Sequence, residues 1–202
     1  MFHVKQVTQA LEDRIGAFLE LLLRWNRRIN LVAEHDMATI RQRHIDDSLQ
    51  LLPHLPEDEG VLGDLGSGAG FPGLILALAT GRPTHLVESD RRKAAFLTEA
   101  AARLDLPAVR VHATRIETTS LPPLAVLTAR ALAPLTELLP HAVRFLRPTG
   151  IALFPKGRTA EAEVNAAQEA GWRFNLERLP SHTQPNATLL RLSDIRRADA
   201  QH

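Results

Sequence analysis

Asp64, Gly66, Gly68 and Gly70 have the types and spacing to hold a nucleotide-like ligand. They lie in Val61-Leu62-Gly63-Asp64-Leu65-Gly66-Ser67-Gly68-Ala69-Gly70-Phe71-Pro72-Gly73, followed by the apolar run Leu74–Ala79. An apolar stretch, an acid, alternate glycines and a second apolar stretch predict a strand, a tight loop and a helix. Glycines let the backbone turn sharply and let a ligand approach it closely. Pro72 suits the first turn of the helix, where its missing N–H is no loss. The helix N-terminus there offers unpaired N–H groups to polar ligand atoms.

The spacing separates cofactors. A dinucleotide loop reads G-x-G-x-x-G beneath a pyrophosphate. Here the third glycine falls one position early and Asp64 stands two residues before the first. That arrangement resembles the first motif of class I S-adenosylmethionine methyltransferases. A cofactor with a cationic sulfonium and an α-amino group gives a carboxylate at a strand end a charge to oppose. The alternative role for Asp64 is to cap the helix or brace the loop.

Further candidates fall at the ends of the later predicted strands, where ligands sit in open parallel sheets. Glu88 ends the second strand at the distance from Gly66 where a ribose-binding acid stands in such folds, placed to accept hydrogen bonds from ribose hydroxyls. Asp90 competes for that role, or caps the helix starting at Arg91. After the third strand, Ile116 offers an aliphatic face for an adenine ring and Glu117 a hydrogen-bonding partner for its edge. Arg130 closes the fourth strand. Its guanidinium can hold a cofactor carboxylate, a phosphate or guanine O6, or form a structural salt bridge. The Asn/Asp-Pro-Pro-aromatic signature of exocyclic-amine methylation is missing from this position. Lys156 at the fifth strand end, with Arg158, and Arg91, Arg92 and Lys93 at a helix start, are candidates for contacting RNA. The last three carry their charge beside the positive end of a helix dipole, which suggests an anionic partner. Arg130 and Lys156 are the candidates for positioning the reacting groups, with no metal ligands expected.

The elements that must position these residues alternate. Strands are predicted over 61–65, 84–88, 108–112, 124–129 and 150–155, and helices over 72–80, 91–104, 134–146 and 159–170. This alternation predicts an α/β fold, a mostly parallel sheet with helices on both faces. Segments 173–178 and 187–192 are expected to close the sheet as an antiparallel pair. Helices over 6–29 and 37–51 form an N-terminal helical cap. The expected division is one domain, with the cap over 1–56, the Rossmann-like core over 61–195 and a frayed tail over 196–202.

Composition sets limits. The chain has 202 residues and no cysteine, which excludes disulfides, cysteine-ligated metals and a cysteine nucleophile. With 24 basic against 23 acidic side chains it lacks the strongly basic balance of many nucleic-acid binders. No apolar run reaches the roughly 20 residues needed to span a bilayer. A cytoplasmic, monomeric protein without membrane contact is therefore the expectation. His44, Asp46, Asp47 and Ser48 are too local in sequence for a hydrolase triad, whose members meet from separate elements. They either wall the ligand site or fix the cap to the sheet.

Beyond the loop, the chain resembles the bacterial 16S rRNA (guanine-N7) methyltransferase G family, also called glucose-inhibited division protein B. The resemblance rests on Trp25-Asn26 through Asn30-Leu31, Arg43-His44-Ile45-Asp46-Asp47-Ser48, and Asp64 through Gly73. It continues through Glu88-Ser89, Arg115-Ile116-Glu117, Arg130-Ala131 and Lys156-Gly157. It implies a class I methyltransferase fold with S-adenosylmethionine as donor and a guanine N7 of 16S rRNA as acceptor. The RNA would be met in the small ribosomal subunit or an assembly intermediate. The family's cofactor positions fall on Gly66, Phe71, Ile116, Glu117 and Arg130, and Glu88 stands where members commonly have Asp. A small-molecule methyltransferase, an NAD-binding oxidoreductase and a non-catalytic ribosome-binding protein are the alternatives.

Overall fold

The strands form where β-branched and aliphatic runs are short and punctuated by glycine, proline or acid. In the computed structural model, which describes residues 9–198, they are β1 Leu62–Leu65, β2 Thr84–Val87, β3 Val109–His112, β4 Leu124–Ala129, β5 Leu146–Lys156, β6 Trp172–Pro180 and β7 Thr188–Arg197. They make one seven-stranded sheet in the order β3-β2-β1-β4-β5-β7-β6. The first five run parallel, and β7 lies antiparallel to both β5 and β6. All four residues of β1 and all six of β4 are buried, as expected of central strands covered on both faces.

Helices α4 Gly73–Thr80, α5 Arg91–Arg103, α6 Leu135–Phe145 and α7 Ala160–Glu169 follow the parallel strands. The first helix, α1 Gln9–Asn26, buries Ile15, Phe18, Leu19 and Leu22 at helical spacing. Phe18 meets Phe71 edge-on at 5.7 Å and Phe96 at 6.1 Å, so α1 shares a core with α4 and α5 on one side of the sheet. A second core, under α6 and α7, includes Phe145, Phe154 and Trp172. Among the described residues no helix is long and apolar enough to cross a membrane. Residues 6–8, at the start of the expected first helix, lie outside the described residues.

Three expectations need correction. The expected helix over 37–51 is interrupted: α2 Met37–Ile40, a π-helical stretch Arg41–Ile45 and α3 Asp46–Leu49 follow one another. The wider turn keeps Ile40 and Ile45 fully buried on one face. Pro72 occupies the N-cap position and not the first turn; the Phe71–Pro72 peptide is cis, and α4 begins at Gly73. The tail does not begin at Arg196, because Arg196 and Arg197 pair with Arg173 and Trp172 and extend the hairpin. Residues 199–202 lie outside the described part.

The chain builds outward from β1 to β3, then crosses back to place β4 on the other side of β1. The crevice at the carboxyl ends of β1, β2 and β4 is the switch point where ligands of open α/β sheets bind. Gly66, Glu88, Ile116, Arg130 and Lys156 all stand on that edge.

Candidate active site

A cavity of about 800 Å³ and an adjoining one of about 390 Å³ open along this edge. Their common walls include Gly66, Gly68, Lys93, Arg130 and Leu132. The smaller lobe is lined by Glu88, Ile116 and Glu117; the larger by Glu34, His44, Asp47, Phe71, Lys156 and Glu163.

The glycine loop is tied to the sheet by its backbone. Ser67 N donates to Val87 O at 3.0 Å, and Gly68 N donates to Glu88 Oε2 at 2.9 Å. Gly66, Gly68 and Gly70 have φ of +65°, +53° and +91°, the left-handed region that favours glycine. A Cβ on Gly66 would stand 2.6 Å from Leu132 Cδ1, so the exposed Leu132 side chain would have to move, and the positive φ is the stronger reason for glycine there. Glu88 is buried at the tip of β2, and its Oε1 accepts from Asp90 N at 2.7 Å. Two backbone amides thus fix the carboxylate, which still has lone pairs for a ligand. Asp90 is a helix cap: its Oδ1 accepts from Arg92 N at 2.8 Å and Lys93 N at 3.3 Å.

Asp64 departs from its expected place. It is fully buried behind the loop and lines neither lobe. Oδ1 accepts from Thr128 Oγ1 at 2.7 Å, whereas Oδ2 has no hydrogen-bond partner among the described residues. Burial pushes its pKa up to about 6 against the opposing pull of the Thr128 hydroxyl. The start of α4 faces this carboxylate closely enough that a Cβ on Gly73 would lie 2.4 Å from Asp64 Cβ. The positive end of α4 is therefore turned toward Asp64, not toward a ligand. Asp64, expected at the cofactor, is thus separated from both lobes by the loop in front of it.

Arg130 stands between the lobes. Its side chain is 19% exposed, lies 5.2 Å above the Phe71 ring and pairs through Nη1 with Asp47 Oδ2 at 3.3 Å. Burial lowers its pKa, and Asp47 opposes that shift. Phe71 lies mostly in the core, between Phe18 and His44, so it supports the floor of the larger lobe through its ring face. His44 stacks on Phe71 at 4.9 Å and an interplanar angle of 17°. Its Nε2 lies 2.9 Å from Glu34 Oε2. Burial lowers the His44 pKa, and a carboxylate can only accept, so the neutral ring carries its proton on Nε2.

The local cluster divides. His44 and Asp47 wall the larger lobe; Asp46 pairs with Arg41 at 3.7 Å, and the buried Ser48 donates to His44 O at 2.6 Å. Lys156 is not an open RNA contact. Its side chain is 10% exposed, and Nζ donates to Glu163 Oε2 at 2.8 Å and Ala133 O at 2.7 Å. Arg91, Arg92 and Arg158 are exposed, and Lys93 reaches the junction of the lobes.

Arg144 and Glu34 escaped sequence reasoning, whereas Trp25 and Asn26 stood in a recognised motif. Arg144, from α6, donates to Ile116 O, Glu117 O and Thr119 O at 3.2, 2.9 and 2.6 Å and so holds the wall of the smaller lobe. Asn26 folds the segment lining the larger lobe: Oδ1 accepts from Leu31 N and Val32 N, and Nδ2 donates to Val32 O and Glu34 O. Trp25 donates from Nε1 to Glu99 Oε2 at 3.0 Å and packs on Phe96, which ties the cap to α5. Glu34 has no motif spacing to reveal it; only its meeting with His44 does.

Solved structures share this architecture. A SAM-dependent methyltransferase from Aquifex aeolicus superposes with a TM-score of 0.63 at 16% identity, over 78% of this chain and 93% of its own. An O-methyltransferase from Bacillus cereus, in complex with SAH, gives 0.60 at 14% over 88% and 91%. The fold is that of the class I S-adenosylmethionine-dependent methyltransferases.

The family model for rRNA small subunit methyltransferase G matches residues 11–184. A ribosomal RNA small subunit methyltransferase G of Granulibacter bethesdensis is 49% identical over 98% of this chain and all of its own. The one from Rhodospirillum centenum is 52% identical over 94% and 87%. The chain belongs to the rRNA small subunit methyltransferase G family, whose members are S-adenosylmethionine-dependent rRNA methyltransferases.

Proposed function

We propose that this chain moves the methyl group of S-adenosylmethionine onto N7 of a guanine in 16S rRNA, met in the small subunit or an assembly intermediate. The observation that carries the reading is the pair of lobes meeting at Arg130, one suited to a nucleoside and the other open to a base. Glu88, Ile116 and Glu117 would hold the cofactor's adenosine end, with Gly66, Gly68 and Gly70 admitting it close to the backbone. Asp64 contributes negative charge from behind the loop.

S-adenosylmethionine supplies an electrophilic methyl group on a positively charged sulfur. Guanine N7 offers an in-plane lone pair and carries no proton, so the chain needs no general base before transfer. Its residues act by holding the two reactants in line at short distance, which alone removes a large part of a bimolecular barrier. Arg130 is the candidate for fixing both, since its fork can meet a carboxylate or guanine O6. A base must leave its stack or come from an exposed loop to enter such a cavity. Arg91, Arg92, Lys93, Arg115 and Arg158 follow the carboxyl ends of β2, β3 and β5, and support an RNA path along this rim.

Small subunits isolated from cells lacking the protein are the substrate for the test. With labelled S-adenosylmethionine, the expected result is one N7-methylguanosine per 16S rRNA. Label on another atom, or activity on free nucleosides but not on subunits, contradicts the proposal.

A further inference from the structure

The His-Ile-Asp-Asp-Ser segment contains a carboxylate that faces two ways. Asp47 is buried. Its Oδ2 pairs with Arg130, at the junction of the two lobes. Its Oδ1 accepts from Thr183 Oγ1 at 2.7 Å and from Gln50 Nε2 at 2.7 Å. Gln50 extends this second arm. Its Oε1 accepts from His182 N at 2.9 Å and Ser181 Oγ at 3.3 Å, and its Nε2 also donates to Thr183 Oγ1 at 3.2 Å. These partners belong to the loop between β6 and β7, from which Gln184 and Ala187 line the larger lobe.

One carboxylate therefore bonds at one end to the arginine at the cofactor lobe and at the other to the loop flanking the acceptor lobe. The loop has few apolar anchors: Gln184, Pro185 and Asn186 are exposed. The paired strands β6 and β7 close its base, and this short set of polar contacts joins it to Asp47 and Gln50. Buried hydrogen bonds to a charged group are strong and directional, and a fully satisfied network of them is rigid.

We infer that Asp47 is a positioning residue that couples engagement of the acceptor-side loop to the orientation of Arg130. This rests on the proposed methyl transfer to rRNA at the same cavity. Two substitutions separate the arms. Thr183→Val keeps side-chain volume and removes the hydroxyl donor on the loop side. Asp47→Asn keeps an acceptor for Thr183 and removes the charge that holds Arg130.

Three quantities are read for the full chain: cofactor Kd by calorimetry without RNA, KM for small subunits lacking the modification, and kcat. For Thr183→Val the expected result is a rise in subunit KM of about fivefold, with cofactor Kd unchanged within about twofold. For Asp47→Asn it is a rise of about tenfold in both, with kcat lowered, the scale of one lost hydrogen bond to a charged group. Asp47→Glu should recover part of the cofactor affinity, because the charge returns in a longer side chain. An unchanged cofactor Kd for Asp47→Asn, or a Thr183→Val that moves both constants equally or neither, overturns the coupling. If the unsubstituted chain binds S-adenosylmethionine but leaves subunits unmethylated, the functional proposal fails on its own. The calorimetric arm then still decides whether Asp47 governs the cofactor lobe.

Discussion

Replacing Asp64 with Asn separates the two forces acting on the most deeply buried carboxylate of the site. Burial raises the pKa of Asp64 from 3.8 to about 6. Its folded form thus binds a proton more tightly than its unfolded form. A group of this sign stabilises the fold most below the unfolded pKa, and that contribution is lost as pH rises through the folded one. The gap between the two values corresponds to about 3 kcal/mol, most of it lost between pH 4 and pH 7. Asn keeps an acceptor for the Thr128 hydroxyl and cannot ionise. The assay is urea denaturation of both proteins across pH 4 to 8, taken as a difference so that other titrating groups cancel. The expected result is that Asp64→Asn gains stability relative to the parent as pH rises, by about 2 kcal/mol or more. The same variant should bind S-adenosylmethionine more weakly, having lost the negative charge behind the loop. A stability difference that stays flat between pH 4 and 7 refutes the account of Asp64 as a carboxylate held at a desolvation cost.

Other substitutions test the walls of the site. Gly73→Ala drives a Cβ to 2.4 Å from Asp64 Cβ and is expected to lower the thermal midpoint sharply. Gly68→Ala meets no close neighbour and carries only the strain of a positive φ. That strain costs about 1 kcal/mol, so denaturant midpoints should rank Gly68→Ala well above Gly73→Ala. Arg144→Ala removes a guanidinium donor from three carbonyls of the 116–119 turn, of which Ile116 O keeps only the Thr119 amide. Cofactor Kd should then rise about tenfold while the far-ultraviolet circular dichroism is unchanged. Phe71→Ala removes a ring packed on Phe18, His44 and Arg130 and should destabilise by about 3–5 kcal/mol in equilibrium unfolding.

The alternation of short strands with longer helices was legible because buried parallel strands and amphipathic helices have different periods, and the two patterns change sharply at glycine and proline. The π-helical stretch was not, since Arg41–Ile45 continues the helical pattern and only the common burial of Ile40 and Ile45 selects the wider turn. Glu88 and the 116–117 turn could be placed on the rim of the smaller lobe because each follows a strand at a regular distance. Lys156 was placed correctly at the strand end, but its ion pair with Glu163 was not foreseen. Its pairing with Glu163 joins β5 to α7 and leaves no trace in the local sequence.

By itself the sequence determined the glycine loop, its neighbours at the strand ends, the doubly covered sheet and the family. These depend on backbone freedom, on periodicity and on contiguous motifs, all local along the chain. Only the tertiary structure decided that Asp64 lies behind the loop, that Arg144 clamps the turn beside the smaller lobe, and that Asp47 links Arg130 to the distant loop carrying Thr183. Those are pairings between elements far apart in the chain. Hydrogen-bond direction and desolvation choose among them only after the sheet has brought the candidates within reach.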